Sequence, residues 1–411
     1  MKKLFILFFS ILVNHKTIFS QPSHERNTEL IARIDSILIS QVNSKKIPGA
    51  VIQVKKNNQV IYRQSYGYAQ IFDDNHKPLN EPEKMTTDHL FDLASLTKVV
   101  GTTTSIMLLA DKRLLSVDDP VGKYIKAFTS PDKSAITIRH LLTHTAGLYE
   151  WYPMYYRASN KQETFKLIGE LPLAFPIGKQ RKYSDLGFTI LGQIVEIVSG
   201  QPLDEFMQQH IFRPLKMNHT SYNPLLNQKG VKFAATSIGN PYEKRMVYDS
   251  SLGFQFREIS PASWDHWRNY TLKGEVNDGN AYYANKGISG AAGLFSTVDD
   301  LQKFVDMLMN KNNQGNDPFI SEKTISTFLT KDNFNNGLGW MMDEKNPVIK
   351  NGPEGSFGHT GFTGTSIAVV PQEGISIILL INRQQTGLLN GKEYYNVSPI
   401  RQQIFQAVLQ K

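Results

Sequence analysis

Ser95 and Lys98, in the stretch Phe91-Asp-Leu-Ala-Ser-Leu-Thr-Lys98, are the pair in this chain best placed to do chemistry. Three residues apart on a helix, both side chains lie on one face, so the lysine amine can reach the serine hydroxyl. A serine hydroxyl is a poor nucleophile until a neighbouring group takes its proton, and this spacing puts a candidate base beside it. The chemistry implied is acyl transfer. Ser95 would attack a carbonyl carbon and form an acyl-enzyme, which water or another acceptor resolves. A place at the start of a helix would also aim backbone N–H groups and the positive helix end at developing negative charge.

Four further segments follow in order. They are Ile138-Arg-His-Leu-Leu-Thr-His-Thr-Ala-Gly-Leu148, Tyr183-Ser-Asp185, Gly290-Ala-Ala-Gly-Leu-Phe-Ser-Thr-Val-Asp-Asp-Leu301 and His359-Thr-Gly361. With the Ser-x-x-Lys motif, they make the chain resemble the serine β-lactamase and penicillin-binding-protein family from about Leu30 to the C-terminus. That family includes class C β-lactamases, D-Ala-D-Ala carboxypeptidases, family VIII carboxylesterases and muropeptide amidases. Tyr183-Ser-Asp-Leu-Gly-Phe188 and Gly274-Glu-Val-Asn-Asp-Gly-Asn-Ala281 look most like the amidase branch and some small penicillin-binding proteins. The resemblance implies an α/β fold of β-lactamase/transpeptidase type, an antiparallel sheet flanked by helices plus a mostly helical lobe.

Site roles follow from the same resemblance. Ser95 is the nucleophile, Lys98 and Tyr183 share the base role, and the N–H groups of Ser95 and Phe362 form the oxyanion hole. Asp185, Thr360, Gly361 and His359 border the substrate, with Thr360 bonding a carboxylate or carbonyl and His359 supplying a donor. A free lysine titrates at about 10.4 and a free tyrosine at about 10, so one of the two is expected to be shifted down. Burial would depress the lysine, and a lysinium neighbour would depress the tyrosine. Asp185 departs from the commoner Tyr-x-Asn. An ionised aspartate can only accept hydrogen bonds, and near Lys98 it favours the ammonium. Tyr183 is then the expected base, or Asp185 meets a donor group on the substrate; both readings disfavour classical β-lactamase activity.

Two other groupings point less clearly to function. His140 and His144 have zinc-ligand spacing, but Leu141 stands where a zincin needs glutamate, so no metal site is expected. Tyr149, Trp151, Tyr152, Tyr155 and Tyr156 read as core aromatics, with a sugar- or peptide-lining wall as the alternative. No Gly-x-Ser-x-Gly elbow occurs.

These residues need elements to hold them. Apolar spacing predicts a helix over Glu29 to Val42 and strands over Gly49 to Val54 and Val60 to Tyr66, joined by a turn at Lys55-Lys-Asn-Asn-Gln59. A second hairpin is predicted from Thr365 to Val370 and Ile375 to Ile381, followed by a helix from Ile400 to Leu409. Between them, helices are expected from Ser95 through Leu109, over Ile138 to Thr143 and from Leu186 to Val198, where Gly200-Gln-Pro is a stop signal. Asn223 to Tyr283 reads as an irregular segment bordering the cleft. The sheet lobe is thus assigned to about 29–90 and 290–411, and the helical lobe to about 91–289.

Lys2 and Lys3 precede an apolar run from Leu4 to Val13, which reads as a signal peptide over 1–20 ahead of a hydrolase domain over 21–411. The run is too short to span a bilayer, so no membrane span is expected after its removal. Cysteine is absent, which rules out disulfides and thiolate metal sites. The net charge of +8 falls to +5 without the three lysines of residues 1–20, and the remaining basic residues are scattered. Nucleic-acid binding is therefore not expected; the basic balance fits an ordinary solvated surface, or weak steering of anionic wall fragments.

The expected protein is a periplasmic or secreted serine hydrolase, without cofactor, acting on amides of peptidoglycan or muropeptides as an amidase or D-Ala carboxypeptidase. Alternatives are a carboxylesterase or weak β-lactamase acting on small esters or amides, and a non-catalytic muropeptide or penicillin binder.

Overall fold

The computed structural model describes residues 23–254, 256–309 and 319–410. The expected signal peptide over 1–20 lies outside the described residues.

Both ends of the chain build one six-stranded antiparallel sheet. Its strands are β1 (Gly49–Lys56), β2 (Gln59–Phe72), β3 (Pro78–Lys84), β4 (Phe357–Thr360), β5 (Ser366–Val370) and β6 (Ile375–Ile381), in the order β3-β2-β1-β6-β5-β4. The β1–β2 turn is Asn57-Asn58, both at positive φ, the conformation that lets a two-residue turn follow the strand twist. β6 reads Ile-Ser-Ile-Ile-Leu-Leu-Ile and is buried along its whole length, because both faces of the sheet are covered. On one face lie α1 (Ser23–Asn43) and a C-terminal helix, Ser398–Leu409, whose Ile34, Leu38, Ile404 and Phe405 join Ile52, Val54, Ile377 and Leu379 in one core. The other face carries Val51, Ile378 and Leu380 into the larger core, with Leu301 and Phe304 of the helix Val298–Met309.

β3 was not anticipated. Its sequence, Pro-Leu-Asn-Glu-Pro-Glu-Lys, is mostly polar and largely exposed, as suits an edge strand that covers no core.

The helical part centres on Asp185–Ser199, apolar on most sides and buried accordingly. Ser184 caps its N-terminus by accepting from Gly187 N–H, and Gly200, at φ 70°, ends it in the left-handed conformation a glycine adopts without strain. The helix after Ser95 is not regular. Its stretch Lys98–Thr103 is π-helical before α-helix resumes over Thr104–Asp111. Such one-turn widenings recur at functional sites. Asn223–Tyr283 is more ordered than its sequence implies and holds the helix Pro241–Tyr248, which short length and mixed polarity conceal.

A small second sheet pairs Phe91–Asp92 with Leu294–Ser296, which pairs in turn with Ser221–Tyr222. By this pairing the start of the Ser95 helix is fixed against the Gly290–Leu301 segment.

Candidate active site

The turn before Ser95 is held in place from several sides. Ala94 sits at φ 45°, a left-handed conformation that costs a non-glycine residue about 1–3 kcal/mol unless its surroundings impose it. Asp92 supplies that constraint. Its buried carboxylate accepts from Ala94 N–H at 2.8 Å and from Asn277 N–H at 2.6 Å. Thr363 Oγ1 donates to Asp92 O and Thr365 Oγ1 to Leu93 O, at 2.7 and 3.1 Å. Ser95 is therefore positioned by the loop after β4 and by the 274–281 segment together.

Lys98 lies fully buried behind Ser95. Its Nζ is 2.9 Å from Ser95 Oγ, 2.8 Å from Ala291 O and 2.7 Å from Asp185 Oδ1. The first two are hydrogen bonds and the third is an ion pair, so the amine lies against a carboxylate that favours its charged form. The charged form is thus built into the geometry. Burial opposes it, but Asp185 and Tyr183 outweigh burial and hold the Lys98 pKa above its usual value.

Tyr183 packs beside this ammonium, with Lys98 Nζ 5.2 Å from its ring centroid. Burial raises its pKa most; Lys98 pulls it down, Asp185 pushes it up, and the balance lies above 10. The expected downward shift of one partner is not found. Asp185 acts in the same direction on both, which the motif spacing alone does not reveal.

His144 and His359 flank the tyrosine ring at 4.4 and 6.1 Å between centroids. Burial and the nearby cations keep both histidines neutral: His144 lies well below its usual range and His359 falls to about 3. Ser184 N–H donates to His144 Nδ1 at 3.0 Å, and His359 Nδ1 donates to Thr360 O at 3.0 Å. In that tautomer His359 Nε2 is an acceptor, and it is buried without a partner. The donor role expected of His359 therefore has no N–H directed to the cleft. The His140–His144 pair is separately committed, since Thr137 N–H donates to His140 Nδ1 at 3.1 Å in a capping box.

A cleft of about 310 Å³ opens in front of Ser95. Of the residues singled out in the sequence, Ser95, Tyr183, Asp185 and Phe362 line it; Lys98, His359, Thr360 and Gly361 are not among its lining residues. The N–H groups of Ser95 and Phe362 have no acceptor among the described residues, which leaves both free for a substrate oxygen. Gly361 allows the close approach: a Cβ there would fall 2.2 Å from Thr365 Oγ1 and 2.3 Å from Leu93 O. Of the aromatic run, Trp151 reaches the cleft and meets Phe254 edge-on at 5.7 Å, while Tyr152 and Tyr155 are buried. Asp92, Glu243 and Asp278 were missed. The only signal for Asp92 was an acidic residue inside the apolar run Phe91-Asp-Leu-Ala; Glu243 comes from the segment read as irregular, and Asp278 from the Gly274–Ala281 stretch, quoted above without a role for it.

Comparison with known proteins fits this geometry. The family model described as Beta-lactamase matches residues 34–398. The chain is 32% identical over 404 residues to the N-acetylmuramyl-L-alanine amidase of Bacillus subtilis (strain 168), covering 92% of this chain and 87% of that protein. It is 31% identical over 395 residues to an Escherichia coli O157:H7 protein provisionally named D-alanyl-D-alanine carboxypeptidase, covering 90% and 86%. In fold it is similar to the octameric penicillin-binding protein homologue from Pyrococcus abyssi, with a TM-score of 0.67 at 21% identity, over 92% of this chain and 77% of that one.

Proposed function

The chain belongs to the beta-lactamase family of serine hydrolases, and we propose that it is exported and cleaves amide bonds of peptidoglycan or muropeptides through an acyl-enzyme on Ser95. The observation that carries this reading is Lys98, hydrogen-bonded to Ser95 and ion-paired with Asp185 beside Tyr183, behind a cleft onto which the N–H groups of Ser95 and Phe362 are free to point. The names of the amidase and carboxypeptidase relatives support the substrate class. Among the described residues no helix is long and apolar enough to cross a membrane.

Because Lys98 donates to Ser95 Oγ, the serine's own proton is free to turn to Tyr183. Tyr183 as phenolate takes that proton while Ser95 Oγ bonds to the carbonyl carbon, and the oxyanion gathers the N–H groups of Ser95 and Phe362. The C–N bond then breaks, and the proton passes from Tyr183 to the departing amine. Water adds to the acyl ester, giving up a proton to Tyr183; the ester C–O bond breaks, and Tyr183 returns that proton to Ser95 Oγ. Lys98 keeps its charge throughout and stabilises the phenolate.

The test is mass spectrometry of defined muropeptides incubated with the mature protein and with Ser95→Ala. Cleavage that depends on Ser95 supports the reading, and the product masses identify the bond. Intact muropeptides in both samples would reject it and turn attention to small esters.

A further inference from the structure

The Phe362 N–H belongs to the loop Gly361–Thr365 between β4 and β5, and two arginines reach that loop from separate elements. Arg383 follows β6, and Arg401 lies in the C-terminal helix Ser398–Leu409. Arg383 Nε donates to Phe362 O at 2.9 Å, and its Nη1 donates to Tyr395 O at 3.1 Å. The same guanidinium lies 5.1 Å from the centroid of the Phe362 ring, so it grips this residue by backbone and side chain together. Arg401 Nη2 donates to Thr365 O at 3.0 Å and reaches to 3.5 Å from Gly361 O.

What both arginines lack is a counter-charge. Neither meets a carboxylate among the described residues, and Arg401 Nε is buried without a hydrogen-bond partner. Burial lowers the pKa of both guanidinium groups, and Arg383 adds to the effect on Arg401. Two cations kept this way cost stability that apolar side chains of similar size would not. Their acceptors give the reason for them. Three of the four carbonyls they meet, those of Gly361, Phe362 and Thr365, belong to the one loop. In a trans peptide the C=O and N–H point in opposite directions. Gly361 O is turned toward Gly364 N–H, at 3.1 Å, and toward Arg401, which aims the Phe362 N–H away from Arg401. Phe362 O, held by Arg383 and by Gln384 Nε2 at 3.4 Å, fixes the peptide that follows.

We propose that Arg383 and Arg401 are positioning residues for the oxyanion hole, setting the direction of the Phe362 N–H by holding the carbonyls on either side of it. The inference rests on the hydrolase reading, with Phe362 as the second oxyanion donor. Neither arginine lines the cleft, so both act through the loop and not on the substrate. A guanidinium suits the task because its donors are rigidly spaced in one plane, which the point charge of a lysine does not reproduce.

Phenylboronic acid tests this without the natural substrate. Ser95 Oγ bonds to boron as its proton passes to the base, and the boron becomes a tetrahedral anion whose oxygen needs the oxyanion hole. Affinity is measured calorimetrically for the full-length wild type, Arg383→Lys, Arg401→Lys and Ser95→Ala, with the Tm of each. Arg383→Lys keeps the charge and loses the planar fork, and it should bind about tenfold more weakly or worse, because small misplacements at a reacting centre are costly. Arg401→Lys should weaken binding in the same direction, and it carries the test if Arg383→Lys does not fold. With p-nitrophenyl acetate, the maximal acylation rate of the variants should fall while the half-saturating concentration stays unchanged, a split that lost stability alone does not produce. Wild-type boronate affinity in either folded variant overturns the inference. Wild-type protein that binds the boronate no better than Ser95→Ala rejects the hydrolase reading itself, and the inference with it.

Discussion

Lys98 Nζ and Asp185 Oδ1 stand 2.7 Å apart, with the lysine fully buried and the aspartate partly open to the cleft. The two residues come from different helices, and their pairing determines the resting state of the whole site. It keeps Lys98 an ammonium, and the same negative charge works against a phenolate at Tyr183.

Asp185→Asn removes that charge and should lower the pKa of both Lys98 and Tyr183. Acylation by a neutral-side-chain penicillin should rise about tenfold or more, since one pKa unit on the base corresponds to about 1.4 kcal/mol. Labelling with a fluorescent penicillin over time measures it. An unchanged rate would mean that Asp185 does not restrain the base.

The pH profile of acylation follows from Tyr183. Its pKa is raised from 10, so the phenolate fraction is small at neutral pH and grows as protons are removed. The acylation rate should climb steadily with pH and reach no plateau below about pH 10, whereas a base near neutrality would level off there. Stopped-flow acylation across that range distinguishes the two.

Gly361→Ala should damage both stability and activity. The added methyl would meet Thr365 Oγ1 at 2.2 Å and the Leu93 carbonyl at 2.3 Å, and neither is the end of a long flexible side chain. Relieving the contact must displace the turn before Ser95 or the Phe362 N–H. A loss of about 1–3 kcal/mol is expected from overpacking, read as a lower Tm and a lower acylation rate. A variant with wild-type values for both would show that the loop yields freely.

Acid should unfold the protein partly through His359. Its folded pKa, about 3, lies below the ordinary 6.5 because burial and Lys98 oppose a second charge. The stabilisation this represents is complete above pH 6.5 and is lost as pH falls toward 3, at about 1.4 kcal/mol per pH unit. Tm measured from pH 7 to 4.5 should drop less steeply in His359→Asn than in the wild type. Parallel curves would place the acid sensitivity elsewhere.

Local features were legible in the sequence because they depend on near neighbours along the chain. A three-residue interval brings Ser95 and Lys98 onto one helical turn, and Lys98 Nζ is found 2.9 Å from Ser95 Oγ. Apolar runs bounded by turn residues located β1, β2, β5 and β6, and Gly200 marked the end of the Asp185–Ser199 helix. The polar edge strand β3 and the helix Pro241–Tyr248 escaped, since neither carries the apolar period that betrays an element packed on a core.

The electrostatics were decided only in three dimensions. The three groups around Lys98 Nζ belong to Ser95, Asp185 and Ala291, and only the first is near it in sequence. Asp92 became a support for the turn before Ser95 through Asn277, and Glu243 and Asp278 turned the cleft of a basic chain acidic. Spacing along a chain specifies which groups can share a turn. Charge, proton position and desolvation depend on distances between remote segments, and those exist only once the sheet and the helical part have closed around one cleft.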